Sequence, residues 1–232
     1  MIELLEWDCQ FFGFNVAAVR PPCHSPDDWQ AVQPFCQENR VRLVQFACDC
    51  AEEQSIRFAE QNGFHCVDVR LAFARPLEPI SADGAIRRAT PADCPTILSG
   101  IEGLFNMTRY QVDPHFPRDK AEELYKVWIE KSIAGAFDDV VFMTPQGEGF
   151  MTVKVREEVG HIGLVGVKAY AAGHKWGSRL LATALHHFAA THCRHAQVVT
   201  QGRNRVAQNY YQQAGFKLQQ TELCYHKWYK QI

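Results

Sequence analysis

Ala196-Gln-Val-Val-Thr200, followed by Asn204-x-x-Ala207, Tyr211 and Gly215-Phe216, decides the fold of this chain. The valine pair reads as a buried strand, Asn204 as the polar residue that opens a helix, and Gly215 as its stop. Val206, Ala207, Tyr210, Tyr211 and Ala214 recur on one helical face. A looser copy of the same pattern lies earlier. Residues 41–47 are an apolar run, residues 51–62 are helix-like, and Gly63-Phe64 precedes the next strand just as Gly215-Phe216 does. In that copy Ala59 stands at the place of Tyr211 and Glu52 at the place of Asn204. One copy carries polar equipment that the other lacks.

Outward from these two units the chain alternates between strand and helix patterns. Residues 2–7 and 16–19 read as strands around the aromatic knot Phe11-Phe12-Gly13-Phe14. Residues 76–84, with Pro76, Pro79, Ser81 and Gly84, form a linker that separates a domain over 1–80 from one over 85–232. In the second domain residues 106–117 read as irregular, and residues 120–132 as a helix with Leu124, Tyr125, Trp128 and Ile129 at helical spacing. Residues 140–144 and 149–155 form a hairpin about Pro145-Gln146-Gly147, and residues 161–168 add a third strand. The expected class is α/β, a mixed central sheet flanked by helices.

At 232 residues, 47% hydrophobic and 22% charged, the chain buries one sizeable core or two modest ones. Its formal charge of -2 argues against nucleic acid or a membrane surface as partner, since both select for basic excess. No apolar run is long enough to cross a bilayer, and the acidic opening Met1-Ile2-Glu3-Leu4-Leu5-Glu6 is unlike a secretion signal, so a cytoplasmic location is expected. The nine cysteines are odd in number and lack paired CxxC spacing. They are expected reduced, with no metal site, and Cys48-x-Cys50 reads as small core residues at a strand end.

Between the third strand and the next helix lies Ala171-Ala-Gly173-His174-Lys175-Trp176-Gly177-Ser178-Arg179. Strand, glycine-bearing turn and helix make an anion-binding geometry, in which free backbone N–H groups and the helix dipole face outward. Lys175 and Arg179 would add full charges. Neither Gly-x-x-x-x-Gly-Lys-Ser/Thr nor Gly-x-Gly-x-x-Gly is present, which sets aside nucleotide hydrolysis and hydride transfer.

This loop, together with Asn204-x-x-Ala207-x-x-x-Tyr211, resembles the GCN5-related N-acetyltransferase (GNAT) family over residues 86–229. The resemblance implies a GNAT fold with acetyl-CoA as co-substrate. The backbone of Gly173, His174, Lys175, Trp176, Gly177 and Ser178 would hold its pyrophosphate. Val165, Gly166 and Val167 would lie beside the pantetheine arm, and Asn204 would bond that arm. Ala172 and Lys175 depart from the family's Gln/Arg and first Gly. Tyr211 would be the general acid for the departing thiolate, a task that suits a phenol protonated at neutral pH. Tyr210 competes for that role, and both phenols fit a packed core. Glu102, Asp113, His115, Glu157 and Glu158 lie in segments that would border the acceptor, with His115 the first choice for a base or acceptor contact.

Glu6-Trp7-Asp8-x-x-Phe11-Phe12-Gly13-Phe14-Asn15, Thr108-Arg109-Tyr110 and Tyr125-x-x-Trp128-Ile129 extend the likeness to nearly the whole chain. They resemble nucleotide-sugar acetyltransferases of this family that join a partial GNAT-like N-terminal domain to a complete one. That implies acetyl transfer to the amine of a dTDP-linked 4-amino-4,6-dideoxyhexose held between the domains. Arg109 and Tyr110 would meet its diphosphate and thymine, and the chain would pair as a homodimer. Two other readings stand beside this one: acetylation of another small amine or peptide N-terminus, and a non-catalytic CoA-binding module.

Overall fold

The computed structural model describes residues 2–20 and 26–230. The first part of the chain forms β1 (Ile2–Leu4), α1 (Glu6–Phe12), β2 (Asn15–Val19), α2 (Pro26–Glu38), β3 (Val41–Asp49), α3 (Glu53–Gln61) and β4 (His65–Pro76). After the linker come β5 (Arg87–Arg88), α4 (Cys94–Leu98), α5 (Arg109–Val112), α6 (Arg118–Ile133), β6 (Val140–Met143), β7 (Gly149–Arg156) and β8 (Val159–Val167). The chain ends with α7 (Trp176–Ala190), β9 (His195–Gln201), α8 (Arg205–Gln213) and β10 (Lys217–Trp228). These strands join one sheet in the order β1-β2-β3-β10-β4-β9-β8-β7-β6-β5. The pairs β2·β3 and β8·β9 are parallel and the others antiparallel, so the sheet is mixed, as expected.

The two copies of the strand-helix-strand unit interleave. The last strand, β10, lies between β3 and β4, and β4 lies between β10 and β9. When Gly63 is set on Gly215, α3 falls on α8 and β4 falls on β10, end to end. The registers obey the same two-fold relation. Asp49 faces Glu222 in one pairing and Gln201 faces Arg70 in its counterpart, while Leu43 faces Trp228 where His195 faces Pro76. Even the irregularities match, since Val67 and Gln219 are the extra residues at the two register shifts between β4 and β10. On the axis itself Arg70 faces Glu222.

Two local expectations change. Residues 2–7 are not one strand: β1 stops at Leu4 and α1 begins at Glu6. Trp7 and Phe11, one helical turn apart, stack at 5.0 Å. Gly13, at φ +75°, ends the turn by donating its N–H to the Cys9 carbonyl, a left-handed conformation that glycine adopts without strain. Within the irregular stretch 106–117 the chain makes the single helical turn α5.

The aromatic knot is core. Phe12 packs on Phe116, Phe14 and Tyr110, and joins Val16, Leu43, Leu124 and Tyr125 in a buried cluster that ties the two halves together. Each fully buried side chain of this size contributes about 1.5–3 kcal/mol relative to exposure. Cys48 is buried at the end of β3 and Cys50 is exposed, and both are free thiols. No helix among the described residues is long and apolar enough to cross a membrane.

Candidate active site

The parallel pair β8·β9 is bonded only from Val159/His195 to Ile162/Val198. Beyond that point both strands continue apart, β8 to Val167 and β9 to Gln201, and a cavity of about 680 Å³ opens between them. Val165 and Val167 line it, as do Val199, Asn204 and Ala207 from the β9–α8 segment. Gly166 does not, because alternation turns it to the other face. There a Cβ would stand 2.7 Å from the Phe150 ring and 3.0 Å from Leu104, so packing requires glycine at that place.

At the mouth, the chain passes a short 3-10 turn, Ala169–Ala171, and Gly173 at φ +85° before α7 begins. The first intrahelical bond of α7 runs from Arg179 N–H to Lys175 O at 3.1 Å. The amides of Trp176, Gly177 and Ser178 therefore have no intrahelical partner, and they lie at the positive end of a 15-residue helix. Lys175 holds the left-handed conformation, φ 58° and ψ 19°, with its side chain exposed. Its backbone thus adopts a shape that glycine takes at no cost, at an expense of about 1 kcal/mol for lysine. Ala172, Gly173 and His174 are exposed beside it. Arg179 is not free for an anion, because its guanidinium is bonded to Asp83 at 2.6 and 2.9 Å and lies over the Trp176 ring at 4.3 Å.

α8 carries the two phenols to different ends. Asn204 caps the helix, its Oδ1 accepting from Ala207 N–H at 3.1 Å, which fixes the start of α8 at the cavity wall. The Tyr210 hydroxyl donates to the Gly177 carbonyl at 2.7 Å and so ties α8 to the start of α7. Tyr211 is 4% exposed, packs against Tyr210 and Phe216, and lines the cavity. No group among the described residues hydrogen-bonds its hydroxyl. Burial pushes that hydroxyl above the ordinary phenol range, so it stays protonated.

The opposite wall comes from β4 and α5. Asp68 and Arg70, two residues apart on one face of β4, line the cavity together with Thr108, Arg109 and Tyr110. Among the described residues Asp68 is the one carboxylate in that lining. It accepts from Val69 N–H at 2.9 Å and lies 3.6 Å from Arg203, and burial raises its pKa despite that cation. Sequence reasoning missed it, although its signal was legible: Asp68 and Arg70 alternate with Val67, Val69 and Leu71, a polar face on a central strand. Arg109 donates to the Tyr110 hydroxyl at 2.8 Å and stands over that ring at 4.5 Å.

The other acid-base candidates lie elsewhere. His115 is outside the cavity lining, stacked on Trp228 at 5.3 Å and bonded through Nδ1 to Asp113 at 2.8 Å. Asp113 is buried beneath it and also accepts from His226 Nδ1 at 2.6 Å and Trp228 Nε1 at 2.8 Å. Burial works against its charge, but these donors outweigh it and hold the carboxyl below the usual carboxylate range. Glu102 pairs with Lys126, Glu158 with Arg194, and Glu157 occupies a turn at φ 54°. A splayed parallel pair, a helix start with free amides and a protonated phenol together can hold an acyl donor and release its leaving group.

Comparison with known proteins agrees with this geometry. Residues 107–216 match the acetyltransferase (GNAT) family. Over 226 residues the chain is 29% identical to the dTDP-fucosamine acetyltransferase of Escherichia coli O6:H1, covering 95% of each. It is 27% identical over 140 residues to the spore coat polysaccharide biosynthesis protein SpsD of Bacillus subtilis, 60% of this chain and 48% of that one. A GCN5-related N-acetyltransferase from Sphaerobacter thermophilus shares the fold, with a TM-score of 0.64 at 16% identity over 98% of this chain and 76% of that one. The chain thus carries an acetyltransferase domain of the GNAT family and is an acyl-CoA-dependent N-acetyltransferase.

Proposed function

We propose that this protein transfers the acetyl group of acetyl-CoA to the amine of a dTDP-linked amino-deoxy sugar. The observation that carries the reading is the juxtaposition, in one cavity, of the unpartnered Tyr211 hydroxyl with Asp68 and Arg109 on the facing wall. The sugar assignment is supported by the likeness to the fucosamine enzyme over 95% of the chain.

The residues present fit acetyl-CoA. The amides from Gly173 to Ser178 would take its pyrophosphate, Val165 and Val167 would border the pantetheine arm, and Asn204 keeps its Nδ2 donor for that arm while Oδ1 caps α8. When bound, the thioester supplies an activated acetyl carbon. Asp68 accepts a proton from the sugar amine, a role that its raised pKa favours. The amine nitrogen forms the new bond to the acetyl carbon, the carbon–sulfur bond breaks, and Tyr211 donates its proton to the leaving sulfur. Arg109 and Tyr110 lie where the acceptor's diphosphate would approach, and a half-buried guanidinium is suited to two phosphate oxygens. His115 is left out of this scheme by its stacking on Trp228.

Thiol release from acetyl-CoA, measured over a panel of dTDP-amino sugars, other small amines and peptides, tests the reading. Turnover with a dTDP-amino sugar and little with peptides is expected. Turnover with peptides alone would overturn the sugar assignment, and no turnover with any amine would favour a CoA-binding module.

A further inference from the structure

A second cavity, of about 320 Å³, lies on the other side of Arg70, Arg109 and Tyr110, which line both. It is the counterpart of the first under the two-fold relation between the halves. The first opens where β8 and β9 part beyond Ile162/Val198; the second lies where the β2·β3 pairing ends at Val19/Phe46, and Phe46 matches Val198 when Gly63 is set on Gly215. The facing strand is β4 in one and β10 in the other. This second cleft has neither a phenol at Ala59 nor a glycine-bearing loop of the Gly173–Ser178 kind among its described residues.

It has acquired other equipment. Gln45 and His226 face each other across β3 and β10, and both line the cleft. His226 is 1% exposed, and among the described residues its Nε2 has no partner, nor has the Nε2 of Gln45. Two unpaired polar groups side by side in a cavity cost stability unless a ligand or water satisfies them, and together they offer a ligand one acceptor and one donor. Their chemistry is defined by what lies behind. The ionised Asp113 accepts from His226 Nδ1, which leaves Nε2 as an acceptor, while the Gln45 amide offers a donor. Asp8 and Glu222 in the same wall disfavour an anion there, whereas Arg109 stands at the boundary with the first cavity.

We propose that this vestigial cleft holds the pyrimidine of the acceptor nucleotide, thymine or uracil, with the imide N3–H donating to His226 Nε2 and an adjacent carbonyl accepting from Gln45. The diphosphate then passes Arg109 and Tyr110, and the sugar enters the cavity beside Tyr211. The proposal rests on the reading of the acceptor as a nucleotide sugar, and it adds the part of the chain that reads the base.

Binding of free nucleotides to the full chain by isothermal titration calorimetry tests it. dTDP and UDP are expected to bind, and dCDP and N3-methyl-dTDP, which lack the N3–H donor, to bind about 10-fold more weakly or worse, as for one lost buried bond. Comparison of dTDP with UDP separates thymine from uracil. Gln45→Leu is expected to weaken dTDP about 10-fold and shrink the difference from N3-methyl-dTDP. Because this variant changes one partly exposed side chain and the analogue changes only the ligand, neither depends on tolerance of a change at His226. Saturating CoA should leave dTDP affinity unchanged. Equal binding of dTDP and N3-methyl-dTDP, or competition between dTDP and CoA, would overturn the proposal. If dTDP binds as expected but no dTDP-amino sugar is acetylated, the catalytic reading fails and the base site stands. Acetylation without base discrimination is the reverse case.

Discussion

Arg70 and Glu222 occupy equivalent positions in the two halves of the chain and pair with each other across the axis that relates them, Nη2 to Oε2 at 3.5 Å. Two copies of one sequence pattern have thus been made complementary where they meet. The pair is partly exposed, with side chains at 37% and 26%, so its net worth is about 0.5–1 kcal/mol. Charge reversal at either position alone, Arg70→Glu or Glu222→Arg, should lower the urea midpoint, and the double reversal should recover most of the loss. A double variant that loses the sum of the two singles would remove the pair as a registration contact.

Lys175 holds a left-handed backbone at the place where the resembled family has glycine. Lys175→Gly should therefore raise stability by about 0.5 kcal/mol or less, by relief of that conformation offset in part by a freer unfolded chain. If only backbone amides hold the pyrophosphate, the KM for acetyl-CoA will stay within about two-fold. A ten-fold rise would assign the lysine charge a binding role.

Much of this was legible in the sequence because it is local. The repeated strand, helix and Gly-Phe stop, the irregular stretch after Pro76 and the loop before Trp176 all follow from periodicity and turn chemistry. The pairing partners were not, since a two-residue period says which face a residue occupies and not which strand lies beside it. Nothing in residues 217–228 announces that they run between β3 and β4. Asp68 escaped notice for that reason: its neighbours across the cavity come from α5 and α8, far along the chain. His115 lies outside the cavity lining and stacks on Trp228, a neighbour brought over it only by β10 and announced by no local pattern. The helix at Glu6 was hidden by a run that satisfies both strand and helix patterns.

His226 and Asp113 should make stability fall in acid in two stages. Burial pushes His226 below the ordinary imidazole value, so below about pH 6.5 the unfolded chain takes up a proton that the folded one refuses. The depressed pKa of Asp113 adds a second loss below about pH 4, where unfolded aspartate protonates and the folded one does not. Both stages lower stability as pH falls. Asp113→Ala strands the donors of His226 and Trp228 and should cost about 3 kcal/mol. Urea midpoints between pH 8 and pH 3 test this, and a flat profile for the unsubstituted chain would contradict it.

Tyr210 anchors α8 to the start of α7 through the Gly177 carbonyl. Tyr210→Phe should cost about 1 kcal/mol of stability and raise the KM for acetyl-CoA, since the anchored residue belongs to the turn proposed to hold the pyrophosphate. kcat should change little, as KM and kcat measured together will show.

Tyr211→Phe tests the account at its centre. The hydroxyl has no partner among the described residues, so the variant should fold with nearly unchanged stability and bind acetyl-CoA as before. At saturating acetyl-CoA and acceptor, kcat for CoA release should drop about 100-fold or more, the scale of a lost general acid. An unchanged kcat would contradict the role of Tyr211 as proton donor to the leaving thiolate.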